Sequence, residues 1–309
     1  MTTSVSRVAI TGASGKLGRK VAAELLERLD PQDLVLVTRN PDALGDLVAR
    51  GIEVRAGDFD QPDGLPGAFA GADRALIIST LSVGRRHEQH AAAIAAAAEA
   101  GVRHVVYTSS GGIHRDNPAI VIPDHLRTEE TLQESGLTWT ILRDSLYAES
   151  VVLKMAPRAL ATGRWLAATG DGTLAPVSQD DCVAVAVRAL TERGHENRIL
   201  ELTGPELVSM RDVAALASEL TGRRLEYVPI DDATLDGLLG DAGIPLEYTE
   251  GMSTPSQGAA SRRDIVSYER GIREGYFSVL SDDVRRVLGR EPRSLRDVFL
   301  QHTDDLGVR

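Results

Sequence analysis

Two hydrophobic rhythms alternate along the first half of this chain. Residues 8–10, 34–38, 52–56, 74–79, 102–109 and 137–143 are compact runs rich in Val, Ile and Leu, and they read as six strands. Helical patterns separate them. Leu17, Val21, Leu25 and Leu29 recur at four-residue spacing, and further helical stretches cover residues 41–50, 65–70, 87–100 and 124–135. The stretch from His87 to Ala100 is dominated by alanine, the strongest helix former, and Gly101 stops it. This alternation predicts an α/β fold: a Rossmann-like, doubly wound parallel sheet of order 3-2-1-4-5-6, with right-handed crossovers and its ligand at the carboxyl edge.

Beyond residue 150 the rhythm loosens. Residues 145–162 read as mostly helical, followed by short strands at 165–168, 174–177, 198–203 and 224–228. Helices are expected over 179–192, from a Ser209 cap to Thr221, over 281–288, and from the capping-box-like start Ser294-Leu-Arg-Asp297. Residues 1–150 are therefore expected to form the main nucleotide-binding domain. Residues 151–309 are expected to form a smaller α/β substrate lobe over the carboxyl edge, with the chain crossing back to the main sheet.

The first strand runs into Thr11-Gly-Ala-Ser-Gly-Lys-Leu-Gly18, and the first helix opens there. Strand, glycine turn and helix start together make a phosphate site, because free backbone N–H groups and the positive helix end attract an anion. Gly12 suits the tight turn, Gly15 lets phosphates approach the backbone, and Gly18 lets helix and strand pack closely. The spacing G-x-x-G-x-x-G is a variant of the dinucleotide fingerprint. Thr11, Ser14, Lys16 and Leu17 belong to the same candidate surface.

Composition narrows the possibilities. The net charge of −11 over 309 residues argues against nucleic acid and against an anionic membrane surface, and the 42% hydrophobic content allows a sizeable core. No apolar run near the N-terminus is long enough for a signal sequence or a membrane span. Cys182 is the sole cysteine, so no internal disulfide can form and a cytoplasmic setting is expected. Its apolar neighbours Val183 and Val185 mark it as a packing residue.

Which dinucleotide binds depends on the end of the second strand. An NAD site places a carboxylate there; this chain has Thr38-Arg39-Asn40. A guanidinium suits a 2′-phosphate, and Lys16 adds charge nearby, so NADP(H) is the expected cofactor. Arg39 could otherwise be a solvated loop residue. Asp58 is placed to accept from an adenine amino group or simply to form a turn, with Phe59 beside it. Ser79 and Thr80 end the fourth strand and Thr108 and Ser109 the fifth, facing the pyrophosphate and nicotinamide.

Thr11 to Gly18, Arg39-Asn40-Pro41, Gly57-Asp58, Val106-Tyr-Thr-Ser109, His125-x-x-x-Glu129 and Ile141-Leu-Arg143 together resemble the NmrA-like atypical short-chain dehydrogenase/reductases. The resemblance is to the bacterial NADPH-dependent quinone reductase and triphenylmethane reductase branch, from the first strand to about Leu239 and again from about Ser281. It implies hydride transfer to a quinone-like or conjugated small-molecule acceptor, in a monomer or homodimer. It also admits a non-catalytic NADP(H)-binding regulator. None of the six tyrosines is followed four residues on by lysine, so the Tyr-x-x-x-Lys acid of ordinary relatives is absent, which also counts against a sugar-nucleotide epimerase. The resemblance instead puts His125 and Glu129 beside the nicotinamide. Glu129 could orient the imidazole and raise its pKa for proton donation, or the pair could only fix the helix. The relatives typically carry Asn where Asp144 stands.

Ser110, Tyr147, Trp165 and Tyr268 are the candidate acceptor contacts, with Tyr147 also a candidate for the chemistry. His87-x-x-His90 has helical spacing but no third ligand with a defined place, so a solvated helix start is the expected reading. Residues 245–277 carry Tyr248, Tyr268, Tyr276 and Phe277. Ile265, Tyr268, Ile272 and Tyr276 fall on one helical face. This segment is either a lid over an apolar pocket or a helix covering ordinary core.

Overall fold

The structure, a computed structural model, describes residues 7–247 and 261–307. Six strands, β1 (Val8–Ile10), β2 (Leu34–Thr38), β3 (Glu53–Ala56), β4 (Arg74–Ile77), β5 (His104–Ser110) and β6 (Thr138–Asp144), form the expected parallel sheet. The helices α1 (Lys16–Leu25), α2 (Gly45–Val48), α3 (Leu65–Phe69), α4 (Arg86–Glu99) and α5 (Ile122–Glu134) make the crossovers.

Burial on both faces explains why the strands read as continuous apolar runs. Val8, Ile10, Leu34, Leu36, Leu76, Val106 and Leu142 face one core with α1 and the helix Gln179–Thr191. Their neighbours Ala9, Val35, Val37, Ala75, Ile77, Tyr107 and Ile141 face the other, with α3 and α4. The alternation is the period-2 geometry of a pleated strand.

The sheet extends one strand further than the sequence order anticipates. After β7 (Arg164–Ala167) and β8 (Thr173–Leu174), β9 (Arg198–Leu202) returns and pairs with β6 in parallel, giving the order β3-β2-β1-β4-β5-β6-β9. Residues 179–202 and the helix Asp283–Leu288 thus pack into the main sheet although they follow residue 150. The remaining lobe holds two small sheets: β8 with β10 (Val208–Ser209), antiparallel, and β7 with β11 (Glu226–Pro229), parallel. Both capping boxes form, Ser209 with Asp212 and Ser294 with Asp297. A helix over Asp232–Asp241, interrupted in sequence by Gly237 and Gly240, was not marked by its pattern. Among the described residues, no helix is long and apolar enough to cross a membrane.

Candidate active site

The glycine turn is built as a dinucleotide cradle. Gly12 takes φ +62°, and the Gly15 N–H donates to its carbonyl at 2.9 Å. A Cβ on Gly18 would lie 2.5 Å from the Gly12 carbonyl oxygen, so only glycine lets α1 approach the turn this closely. No acidic residue occupies the first turn of α1. Lys16 stands there, and Lys154, on a π-helical turn (Val151–Met155), lies within its electrostatic reach. Lys154 was not singled out by sequence. The Ser14 and Thr38 hydroxyls meet at 2.8 Å. The Thr11 hydroxyl is committed to the sheet, donating to the Leu76 carbonyl and accepting from the Ile78 N–H. Leu17 packs against the first core.

At the ends of β2 and β3, Arg39 is exposed and lines an open cleft of about 530 Å³ with Gly57 and Asp58. The Asp58 carboxylate accepts from the Asp60 N–H and the Gln61 amide, the turn-forming alternative. Phe59 packs on the sheet core and meets His90 edge-on. At the end of β2 the chain presents the Arg39 guanidinium and no carboxylate, which suits an adenosine 2′-phosphate, while Asp58, Asp60 and Asp63 line the rest of the cleft.

The residues expected beside the nicotinamide differ most from expectation. His125 and Glu129 lie on α5 but do not pair. Glu129 accepts from the Ser109 hydroxyl at 2.6 Å and takes the Arg143 guanidinium in a two-pronged ion pair; Arg143 also reaches Glu201 at 2.8 Å. His125 lies beneath the sheet edge, its Nδ1 2.7 Å from the Tyr107 hydroxyl and its Nε2 3.4 Å from Arg86. Burial, together with the neighbouring Arg86 charge, holds its pKa well below the usual histidine value, the opposite of the expected rise. The spacing i, i+4 put the two side chains on one helix face, but a buried carboxylate goes to the arginine that can neutralise it. Both side chains are buried and engaged with protein partners.

His90 is likewise corrected: it is fully buried, not on a solvated helix start. Its Nε2 accepts from the Thr80 N–H at 2.9 Å, so the neutral ring carries its hydrogen on Nδ1, facing Thr128 and Tyr107. Burial pushes its pKa down to about 3. Thr80 also donates to Gln89, and the Ser79 N–H donates to the Thr108 hydroxyl, fixing the end of β4 against β5 and α4.

On the opposite face, Ser110 and Asp144 sit side by side in register at the ends of β5 and β6. Tyr147, half-buried, donates to Asp144 Oδ2 at 2.6 Å. Asp144 is buried, and burial raises its pKa to about 7 against the lowering effect of Tyr147 and the Cys182 thiol. Cys182 is buried as expected, but it lies against this carboxyl.

Trp165, an expected acceptor contact, is 2% exposed within the core of the small lobe, because β7 is covered by β11 and the helix Met210–Thr221. Tyr268, on the helix Arg262–Arg273, stacks on Phe277 with ring centroids 4.2 Å apart. That helix is tightly seated: a Cβ on Gly172 would meet the Ile272 carbonyl, and Ser267 accepts from the Ile120 N–H. Tyr248 of the same segment lies outside the described residues.

Comparison with known proteins agrees with this geometry. The family described as NAD(P)H-binding matches residues 12–193, more than half of the chain. Quinone oxidoreductase 2 of Escherichia coli is 34% identical over 254 residues, covering 82% of this chain and 88% of that protein. An NmrA-like family domain-containing oxidoreductase of Aspergillus flavus is 30% identical over 305 residues, 96% of this chain and 94% of the relative. The crystal structure of the Escherichia coli NADPH-dependent quinone oxidoreductase complexed with NADPH superimposes with a TM-score of 0.86 at 30% identity, covering 95% of this chain and 99% of that one. The sheet order, the glycine cradle and these similarities place the chain in the NAD(P)H-binding, NmrA-like oxidoreductase family, in the branch of the bacterial quinone reductases.

Proposed function

We propose that this enzyme uses NADPH, in preference to NADH, to reduce a quinone-like or otherwise conjugated small molecule in a reducing cytoplasm. The observation that carries the acceptor reading is the Tyr147–Asp144 hydrogen bond at the carboxyl ends of β5 and β6, where Ser110 stands in register beside Asp144. The second lobe's apolar cluster, with Val83, Ile113, Tyr268 and Phe277, supplies the adjoining wall. A nicotinamide bound there supplies hydride. The glycine turn with Lys16 holds the pyrophosphate, and Arg39 with its cleft holds the adenosine 2′-phosphate. Ser79 and Thr108 shape the floor, with Ser109 holding Glu129 on the far side of the strand, while Ser110 and Tyr268 bound the acceptor.

A conjugated acceptor suits this site because reduction leaves a stabilised anion, so the protein has to contribute chiefly position and a water-poor pocket. With His125 and Glu129 committed to buried partners, Tyr147 is the remaining proton donor among the sequence candidates. The test is NADPH oxidation against a panel of quinones and conjugated carbonyls. Turnover with quinones is expected. Tight NADPH binding without turnover of any acceptor would replace this reading with that of a binding-only regulator.

A further inference from the structure

Tyr147 has one hydroxyl hydrogen, and Asp144 decides where it points. A carboxylate at 2.6 Å captures that hydrogen. A neutral carboxyl protonated on Oδ2 donates to the tyrosine oxygen instead, and the tyrosine hydrogen is then free to turn outward. We propose that Asp144 gates proton delivery: Tyr147 protonates the reduced acceptor only while the Asp144 carboxyl is itself protonated. This rests on the quinone-like acceptor reading above.

The surroundings suit a carboxyl that changes state. Asp144 is buried and its Oδ1 lacks a hydrogen-bond partner, a costly arrangement for an anion. Tyr147 lies on the connection that follows β6. The helix Gln179–Thr191 contributes Cys182, whose thiol is a weak donor. Glu149, from the short helix Ala148–Ser150, acts on Tyr147 and Cys182 and adds negative charge to the same neighbourhood. It is itself occupied with the N–H of Gln179. β5 brings Ser110 and β9 brings Leu202, neither of which titrates near neutrality. Arg143, next in sequence, points to the other face, toward Glu129 and Glu201. Among the described residues, none of the groups that shift Asp144 is a cation. Burial leaves it titrating at about 7.

The step balances. A quinone that has accepted hydride from NADPH is a hydroquinone monoanion needing one proton. The Tyr147 O–H bond breaks as the hydroquinone O–H forms. The Asp144 O–H bond breaks as the Tyr147 O–H is restored. The resulting carboxylate recovers its proton from water once product leaves.

The experiment is a pH profile of kcat from pH 6 to 8.5 with two acceptors, a quinone and a triarylmethane dye cation, which needs hydride and no proton. With the quinone, kcat should fall roughly thirtyfold across the range; with the dye it should stay flat. Asp144→Asn, whose amide N–H donates permanently to the Tyr147 oxygen, should abolish the fall with the quinone. A fall that persists in Asp144→Asn, or a flat quinone profile in the unaltered enzyme, overturns the gate and leaves the acceptor reading standing. Absence of turnover with every acceptor overturns both. Should Asp144→Asn fail to fold, infrared titration of Glu269→Gln, which removes the other carboxyl that burial raises to about 7, decides: a protonated carboxyl persisting to near neutrality supports the gate, and none above pH 5 overturns it.

Discussion

The two faces of the sheet end differently at the carboxyl edge. Under α4 and α5, Tyr107, His90, His125 and Arg86 are packed into a buried network in which every ring nitrogen of the two histidines has a neighbour to bond. Under the helix Gln179–Thr191, Asp144 holds one bonded oxygen and one without a partner, beside a half-buried tyrosine. The first face resists change because both ring nitrogens of each histidine are engaged, although the buried Arg86 Nε there has no partner. The second has two arrangements of one hydrogen bond that differ by a single proton. Residues of the type most often used in catalysis are on the first face, yet the proton donor proposed above is on the second.

The largest test of this contrast is Arg143→Met. It leaves Glu129, almost wholly buried, without its guanidinium, and removing one partner of a buried pair typically costs about 3–5 kcal/mol. The urea unfolding free energy should fall by that amount. A loss under about 1 kcal/mol would show that Glu129 is neutral or wetted, and the first face less closed than described.

His125→Gln comes next. It should cost about 1–3 kcal/mol of stability by disturbing the Tyr107 hydroxyl, with kcat changed less than about threefold. The native imidazole stays neutral while the unfolded one takes a proton near its ordinary value, so the unfolded chain binds more protons below that pH. The stability that neutral His125 contributes is therefore present above pH 6.5 and lost as pH falls. The deficit of the variant should shrink on acidification, which thermal melts across pH 5–8 can follow. A drop of a hundredfold in kcat with normal melting would move the chemistry back to the first face.

The smallest expected effect concerns the far end of the cleft. Arg39→Ala should remove most of an NADPH-over-NADH preference of roughly tenfold, about 1.4 kcal/mol, read by calorimetry with both cofactors. Equal affinities in the unaltered protein would remove the 2′-phosphate assignment.

Much of the fold is legible because its signals are local. Strands buried on both faces read as apolar runs, and the Gly12–Gly18 spacing and the Ser209 and Ser294 caps are visible within a few residues. The site is less legible because its partners are distant in sequence. Glu129 meets Arg143 from the next strand, and Asp144 meets Cys182 from a helix nearly forty residues on. The alanine-rich α4 has apolar residues on nearly every side, so its pattern did not reveal that His90 is on the buried one. The return of β9 to the sheet is a long-range pairing with no signature of its own. Lys154, on a π-helical turn more than a hundred residues on, comes within the electrostatic reach of Lys16.

That returning strand has a consequence for how the chain is made. While a ribosome is still translating residues before 198, β6 is an edge, with a row of unpaired N–H and C=O groups open to any passing strand. A fragment cut at residue 150 would keep this edge for good and would lack the helix that covers one face of the sheet. Such a fragment should self-associate through β6.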